Sequence, residues 1–317
     1  MKISVIIPVF NEEKHIRATL SALAMQDANK GSFEIIVVDN GSSDSTMSIV
    51  EEFSAVLPLQ VLSLPHGNIS KVRNWGAKSI TGETLAFLDA DCVPKITWLR
   101  EAITIRHERG IWGAHYSVPA DATWVGKLWG KYQATEQAGA VLFVPAGDMF
   151  ILREDFLKIG GFSEDLDTSE DVELCQRALK KGLHVSAFPS LAVEHNGTPR
   201  TLAQFYRQNR WHGKHVLRKF VANLPSLKNL PIVALTLYTL FMFWVCILLP
   251  IIAIGIHRWW IALIPPILLL LPFVVISLIK TLRFGRLVEA PALITLYTTY
   301  FLSRAAALTL RSGRNHR

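Results

Sequence analysis

The stretch TLAFLDAD, residues 84–91, joins a short apolar run to two carboxylates, Asp89 and Asp91. The apolar run is long enough for one buried strand, and open α/β sheets bind their ligands at the edge where such strands end. Two neighbouring carboxylates beside a phosphate-bearing ligand suit Mg²⁺ or Mn²⁺, because these hard cations prefer oxygen ligands. The stretch therefore predicts a cation and phosphate site at the carboxyl edge of a sheet.

The first 200 residues alternate between strand-like and helix-like runs. Near-continuous apolar strands between helices predict an α/β fold, with a mostly parallel sheet that helices cover on both faces. The first turn lacks the Gly-x-Gly-x-x-Gly pattern, which argues against a dinucleotide-binding domain. The predicted strands cover 3–10, 33–38, 60–64, 84–88, 111–118, 140–152, 185–188 and 191–195, the predicted helices cover 12–25, about 45–53, 70–79 and 170–181, and 124–136 is a loop or a short helix.

The last third of the chain is predicted to enter a membrane. Residues 229–256 and 259–279 contain no Asp, Glu, Lys or Arg, and each stretch exceeds the roughly 20 residues that cross a bilayer core as a helix. They predict two spans, at about 231–254 and 259–279, with prolines that kink the second span.

A third apolar segment, at about 288–310, contains Glu289 and Arg304. A charge inside a span costs about 2.5–3.5 kcal/mol on insertion scales. The segment is therefore either a third crossing or an interfacial or re-entrant helix. A basic tail, 311–317, follows it.

The net charge of +7 is explained better by a membrane than by nucleic acid, which is not an expected partner. Basic and aromatic residues alternate over 200–219, just before the first span, which predicts an interfacial helix within 200–228; an ordinary solvated helix is the alternative. The loop after the second span is also basic. Positive charge favours the cytoplasmic side, so this loop and the segment 200–219 are both expected in the cytoplasm. The N-terminal apolar run is too short for a secretory signal, so we expect a catalytic domain over 1–199 in the cytoplasm and a multi-pass protein of the cytoplasmic membrane.

Four motifs follow one another in the soluble part. They are IIPVFNE at 6–12, VVDNGSSD at 37–44, DAD at 89–91, and GGF at 160–162 with Glu170-Asp171 after it. Together they resemble the inverting glycosyltransferases of family 2, and the resemblance covers about residues 1–200. It implies the GT-A fold, a nucleotide-diphospho-sugar donor and a divalent cation, Mn²⁺ or Mg²⁺.

The resemblance assigns the nucleotide contacts. Asp39 matches the residue that binds the nucleobase, often uracil, so a UDP-sugar is the favoured donor. Pro8, Asn11 and Glu12 lie in the matching first loop, where Glu12 contacts ribose or serves the N-terminus of the next helix. The resemblance implies that Asp89 either binds ribose or acts through water. A basic residue near the diphosphate is expected at Lys71 or Arg73, of which we favour Arg73; an exposed helix face is the alternative.

The resemblance also assigns the metal and the chemistry. Asp91 is the direct metal ligand, and His195 either completes the metal site or is structural. Asp171 is the expected catalytic base, and Glu170 helps to orient the site. Asp44 is expected to cap a helix rather than bind a ligand.

Acceptor and sugar contacts are expected from Asp148 and from Arg207, Arg210 and Trp211. Processive relatives carry Gln-x-x-Arg-Trp, and here Arg207 replaces the Gln, which argues against a processive polysaccharide synthase. The sequence therefore predicts a membrane-anchored transferase that acts on a lipid or lipid-linked saccharide. A nucleotide-binding membrane module without catalysis is the alternative from another class.

Overall fold

The structure is a computed structural model that describes residues 2–80, 82–105, 109–133, 138–166, 168–214, 217, 230–255 and 257–309. The chain divides into two compact units. The first is Met1–Ala120 with Ala134–Thr198, and the second is Asp121–Gln133 with Pro199–Arg317. The first unit ends at Thr198, and the sequence predicted a domain over 1–199. The predicted domain was continuous, however, whereas the segment 121–133 belongs to the second unit.

The first unit is built on an eight-stranded sheet of order β3-β2-β1-β4-β8-β6-β9-β7. Strands β1 to β4 are parallel, and β8 is antiparallel to both β4 and β6. A separate antiparallel pair joins β5 to β10. The strands are β1 Ile3–Val9, β2 Phe33–Asp39, β3 Leu59–Ser63, β4 Thr84–Leu88, β5 Cys92–Val93, β6 Gly110–Gly113, β7 Gly139–Ala140, β8 Asp148–Leu152, β9 His184–Ala187 and β10 Glu194–His195.

The central strands are buried on both faces, which confirms the doubly covered sheet. Successive residues of β1 alternate between two apolar cores, so that Val5 and Ile7 face one core and Ile6 faces the other. Pro8 also lies in β1 and is buried. The pairing between β1 and β4 ends at Ile6, so Pro8 comes after the last residue of that ladder and its missing N–H breaks no bond to β4.

The helices of the first unit follow the predicted alternation, with shorter bounds. The predicted helix 12–25 begins at Ile16, because Asn11 takes a left-handed conformation (φ 56°) and a turn follows it. The helices are α1 Ile16–Ala24, α2 Thr46–Glu52, α3 Ile69–Lys78, α4 Trp98–Ile105, α6 Arg153–Ile159 and α7 Glu170–Lys180.

Three predicted strands are much shorter than expected, since the one predicted over 191–195 is reduced to the two residues of β10. The strand predicted over 111–118 ends at Gly113, and the one predicted over 140–152 splits into β7 and β8. After Gly113 the chain leaves the sheet, and the Ser117 N–H donates to the Val193 carbonyl at 2.8 Å. Residues 114–118 therefore do not extend strand β6.

The second unit is helical. Its central helix is α11, which packs against α5, α8, α9 and α10. The Thr201 hydroxyl and the Gln204 side chain form a capping box at the start of α8. The remainder of the predicted interfacial segment, 215–229 apart from 217, and the basic tail lie outside the described residues. The helices are α5 Trp124–Gln133, α8 Leu202–Gly213, α9 Leu230–Gly255, α10 Ile264–Phe284 and α11 Ala290–Thr309.

Two segments are long and apolar enough to cross a membrane, Leu230–Gly255 and Trp259–Phe284. They match the two predicted spans. Pro265 and Pro266 lie in the first turn of α10, where a proline needs no helical N–H bond, so these two do not kink the helix as predicted. The third predicted segment forms α11, but it does not meet the same criteria of length and composition.

Both charges that raised doubt about the third segment have neighbours in the second unit. Glu289 lies in a short 3₁₀ turn before α11 and accepts hydrogen bonds from Lys131 Nζ at 2.8 Å and from the Tyr132 hydroxyl at 2.5 Å. The bond from Lys131 is the main cause that lowers the pKa of Glu289 to about 2. The Arg304 guanidinium lies 4.5 Å from the centre of the Tyr300 ring.

Candidate active site

The carboxyl edge of the sheet brings Asp91 and His195 together. Asp91 follows β4, and His195 lies in β10, which pairs with β5 so that His195 is opposite Cys92. His195 Nε2 is 3.5 Å from Asp91 Oδ2, and both side chains remain partly exposed, at 17% and 20%. One ligand atom each from Asp91, Cys92 and His195 lies within 4.8 Å of the others.

The chemistry of these donors fits a hard divalent cation. Burial, followed by the charges of Asp89, Asp91 and Asp148, raises the pKa of the Cys92 thiol well above its usual range. Cys92 therefore stays a protonated thiol, which is a poor ligand. A carboxylate oxygen and an imidazole nitrogen are left, and Mn²⁺ or Mg²⁺ would complete its shell with phosphate oxygens of a bound ligand.

Gly197 leaves space for the side chains of Asp91 and His195. A Cβ at this position would lie 2.2 Å from Asp91 Oδ2 and 2.9 Å from His195 Cε1. We expect Gly197→Ala to displace the carboxylate and to weaken Mn²⁺ binding about 10- to 100-fold, the range seen when support around a metal ligand is lost. Mn²⁺ titration of the purified protein followed by electron paramagnetic resonance measures this. Gly31→Ala is the control, because its Cβ would make only an ordinary 3.5 Å contact.

Arg73, the predicted diphosphate contact, is buried between two carboxylates. Its side chain is 4% exposed, and its two terminal nitrogens lie 2.6 Å from Asp89 Oδ1 and 2.6 Å from Glu170 Oε1. Burial alone would lower the pKa of Arg73, but the two carboxylates outweigh it and raise that pKa. The guanidinium joins the Asp89 loop to the start of α7, and the diphosphate contact stays a prediction.

Removing the charge at Arg73 should destabilise the first unit. Arg73→Met would leave Asp89 and Glu170 without their buried cation, which costs about 3 kcal/mol of the free energy of unfolding. Urea unfolding in detergent, followed by tryptophan fluorescence, measures this. Arg17→Met is the matched control: its ion pair with Glu52 is half exposed on both sides, so we expect little change. Equal stability of the two variants would contradict a structural role for Arg73.

Asp171 follows Glu170, one of the two carboxylates that Arg73 binds, at the N-terminus of α7. Its Oδ1 accepts a hydrogen bond from the Val172 N–H at 2.7 Å. Burial, and then the charge of Glu170, raises the pKa of Asp171 to about 6. A carboxylate with a pKa near 6 is largely ionised at neutral pH and is a stronger base than an ordinary aspartate.

Two residues predicted to bind the nucleotide, Asn11 and Asp39, lie where β1 and β2 end, at the same edge. Asp39 ends β2, and its Oδ1 accepts from the Ser42 N–H at 3.0 Å. Asn11 connects the loops that follow β1 and β2, since its Oδ1 accepts a hydrogen bond from the Ser43 N–H at 2.8 Å. Asp44 has the predicted capping role, because its Oδ1 accepts from the Thr46 N–H at 3.0 Å.

Glu12 is half buried among acidic groups. Burial, followed by the charges of Asp91, Asp89 and Asp44, raises its pKa to about 7. Such an excess of negative charge at one edge of the sheet favours a cation.

Asp148, the predicted sugar contact, is fully buried. It is 0% exposed, and its Oδ1 accepts from Trp98 Nε1 at 3.0 Å. Burial raises its pKa well above the usual range. Asp148 thus presents no exposed atom in this structure, and the sugar contact stays a prediction.

Arg207, Arg210 and Trp211 lie on α8, in the second unit, and are exposed. Their opposite face holds Phe205, Asn209 and Gly213, which are buried. The four-residue spacing of that buried face makes α8 amphipathic.

Tyr116 is a site residue that the sequence did not reveal. Its hydroxyl lies 3.4 Å from Asp89 Oδ2 and accepts from the Gly147 N–H at 3.1 Å. Its ring stacks on the His195 ring at 4.6 Å. In sequence it belongs to an apolar run that we interpreted as a strand, so no local signal marks it.

Comparison with known proteins assigns the family. Residues 82–278, more than half of the chain, match the model of glycosyl transferase family group 2, and residues 4–158 match glycosyl transferase family 2. The chain belongs to glycosyltransferase family 2. The glycosyltransferase AglE of Haloferax volcanii is 29% identical over 189 residues, which are 57% of this chain and 62% of AglE. The probable glycosyltransferase YdaM of Bacillus subtilis is 30% identical over 249 residues, 72% of this chain and 59% of YdaM.

This family 2 member thus spans about three fifths of the length of these two relatives. Among solved structures it is similar to the mannosyltransferase PcManGT from Pyrobaculum calidifontis, solved with GDP-Man and Mn²⁺. The TM-score is 0.62 at 20% identity, and the match covers 96% of this chain and 85% of the other. This similarity confirms the predicted GT-A fold.

Proposed function

We propose that this chain is an inverting glycosyltransferase that moves a sugar from a nucleotide-diphospho-sugar to a lipid or lipid-linked saccharide at the cytoplasmic face of a membrane. The observation that carries the proposal is the Arg73 bridge. One buried guanidinium binds Asp89, next to the Asp91–His195 pair, and Glu170, next to Asp171. The bridge thereby holds a cation site and a basic carboxylate in one rigid arrangement.

Asp39 and the loop around Asn11 suit the nucleoside end of the donor. A carboxylate accepts hydrogen bonds from base N–H groups or ribose hydroxyls. Asp91 and His195 would hold Mn²⁺ or Mg²⁺, which supplies charge neutralisation for the diphosphate as it leaves. The complex of PcManGT with GDP-Man and Mn²⁺ supports both parts of this assignment. The family resemblance favours a UDP-sugar, whereas PcManGT was solved with GDP-Man, so the test includes donors with uracil and with guanine.

Asp171 performs the proton transfer. Its carboxylate accepts the proton of the acceptor hydroxyl while the acceptor oxygen bonds to the anomeric carbon, on the face opposite the diphosphate. The bond between that carbon and the diphosphate oxygen breaks, and the nucleoside diphosphate leaves with the bonding electrons. The proton remains on Asp171, and the anomeric configuration is inverted.

The second unit supplies the membrane contact and the acceptor contacts. Two apolar helices suit membrane spans, and the exposed face of α8, with Arg207, Arg210 and Trp211, suits a lipid headgroup layer or a lipid phosphate. We infer that α11 lies at the interface rather than crossing. Helix α8 lies along α11, because Phe205 packs with Leu296 and Tyr300.

The packing of α8 on α11 supports two crossings rather than three. A Cβ at Gly213 of α8 would lie 3.1 Å from the Arg304 Cα. If α11 crossed the bilayer core, α8 would carry the exposed Arg207 and Arg210 into it, at about 2.5–3.5 kcal/mol for each charge.

We therefore expect two crossings, with the chain after Thr309 on the cytoplasmic side. A fluorescent reporter fused after Arg317 should be active inside the cell, and an alkaline phosphatase fusion there should be inactive. Fusions after Arg258, between the two spans, serve as the control and should give the opposite pattern. An active phosphatase after Arg317 would establish a third crossing.

A donor screen tests the function. The protein is purified in detergent and incubated with UDP-, GDP- and dTDP-sugars and Mn²⁺ or Mg²⁺, with and without a membrane lipid extract. We expect release of one nucleoside diphosphate that depends on the lipid extract, and a product of inverted configuration by NMR. Nucleotide binding without release from any donor would favour a non-catalytic nucleotide-binding module.

A further inference from the structure

Tyr116 contacts both halves of the candidate cation and donor site. It follows β6, at the point where the chain leaves the sheet, and packs against the apolar core that contains Val5 and Ile7. From there its hydroxyl reaches Asp89 and its ring covers His195.

The hydroxyl helps to fix the Asp89 carboxylate. Asp89 Oδ1 accepts from Arg73 Nη2 at 2.6 Å, while Oδ2 faces the Tyr116 hydroxyl at 3.4 Å. The hydroxyl oxygen in turn accepts from the Gly147 N–H at 3.1 Å, so its own proton is directed to Asp89. A Cβ at Gly147 would lie 2.3 Å from the Tyr116 hydroxyl and 2.4 Å from Asp89 Oδ2, so only glycine permits this approach.

The ring fixes His195. The two rings are nearly parallel, with centres 4.6 Å apart and planes 15° apart. A stacked neighbour restricts rotation of an imidazole about its last side-chain bond. His195 Nε2 is then held toward Asp91 Oδ2, at 3.5 Å.

We propose that Tyr116 is a positioning residue with two separable roles: its ring orients His195 for the divalent cation, and its hydroxyl orients Asp89 for the nucleotide. This proposal rests on the proposed function, because it assumes that Asp91 and His195 bind a cation. Groups that orient metal ligands typically contribute 10- to 100-fold to metal affinity.

The two roles are tested by Mn²⁺ and nucleotide binding to the full-length protein in detergent. Tyr116→Phe keeps the ring, so we expect Mn²⁺ affinity within about twofold of wild type and weaker binding of UDP or GDP in the presence of Mn²⁺. Tyr116→Leu removes the ring as well, and Mn²⁺ affinity should fall about 10-fold or more. Thermal unfolding of both variants identifies any that fail to fold.

A double-mutant cycle separates positioning from general structural support. In the His195→Ala background Tyr116→Leu should change Mn²⁺ affinity by less than about twofold, because the residue that it orients is absent. An undiminished loss in that background, or a Tyr116→Leu variant that binds Mn²⁺ like wild type, would overturn the proposal.

Failure of the cation site itself gives a different result. If wild type and Asp91→Ala bind Mn²⁺ equally weakly, then the metal assignment in the proposed function is wrong and the role of the Tyr116 ring is refuted with it. If wild type binds Mn²⁺ and Asp91→Ala does not, while Tyr116→Leu does, only the inference about Tyr116 fails.

Discussion

Asp91→Asn should reduce sugar transfer by at least about 1,000-fold, because the cation is expected to contribute several kcal/mol to the stabilisation of the leaving diphosphate. The substitution keeps the shape of the side chain but removes the charge that faces His195 at 3.5 Å. Mn²⁺ affinity should fall in parallel, whereas the unfolding temperature should change little, since Asp91 is partly exposed. Initial rates with a saturating donor and Mn²⁺ titration measure the two effects.

Asp165→Asn is the control for this experiment. Asp165 is an exposed aspartate of the same unit, and its substitution should leave both the rate and the Mn²⁺ affinity unchanged. An Asp91→Asn variant that keeps its activity in the presence of a chelator would show that the transfer does not depend on a cation at this position.

Asp171→Asn should lower kcat by about 10² to 10⁴, the usual contribution of a general base, with little change in donor binding. The amide cannot accept the acceptor proton. The pKa of Asp171 is raised to about 6, so a base at this position predicts a sign for the pH dependence. Below pH 6 the carboxyl is protonated and the rate should rise about tenfold for each pH unit, and above pH 6 it should level off.

The pH profile of wild type and Asp171→Asn distinguishes the classes of acceptor. Loss of this acidic limb in the variant, together with the lower kcat, would identify the base. An acceptor that is already an anion, such as a polyprenyl phosphate, needs little proton removal. Full activity of Asp171→Asn at pH 7 would therefore reject the base and assign a phosphate acceptor.

The sequence predicted the parts of the molecule that depend on local patterns. The strand Thr84–Leu88 has the predicted bounds, because five apolar residues end abruptly at two carboxylates. The GT-A fold follows from the strand and helix alternation together with the motifs. The pairing of Asp91 with His195, suggested by the family resemblance, is found at 3.5 Å.

Other features depend on contacts between distant parts of the chain. A basic residue on α3 looks the same in sequence whether it is exposed or buried, so the Arg73 contacts, 16 and 97 residues away, were not foreseeable. Asp148 is buried beside Trp98, 50 residues earlier. Tyr116 belongs to an apolar run, and only the turn of the chain after Gly113 brings it to Asp89.

The insertion of α5 has a practical consequence for anyone who wants a water-soluble catalytic fragment. A simple truncation after residue 199 would keep α5 but remove the aromatic side chains around Trp129, whose ring centre is 4.9 Å from that of Phe205 and 5.0 Å from that of Tyr300. The bare helix would then present Val125 and Trp129 to water and promote aggregation. A fragment in which a short glycine-serine linker also replaces 121–133 lacks this exposed apolar surface. It is the more promising starting point for crystallisation.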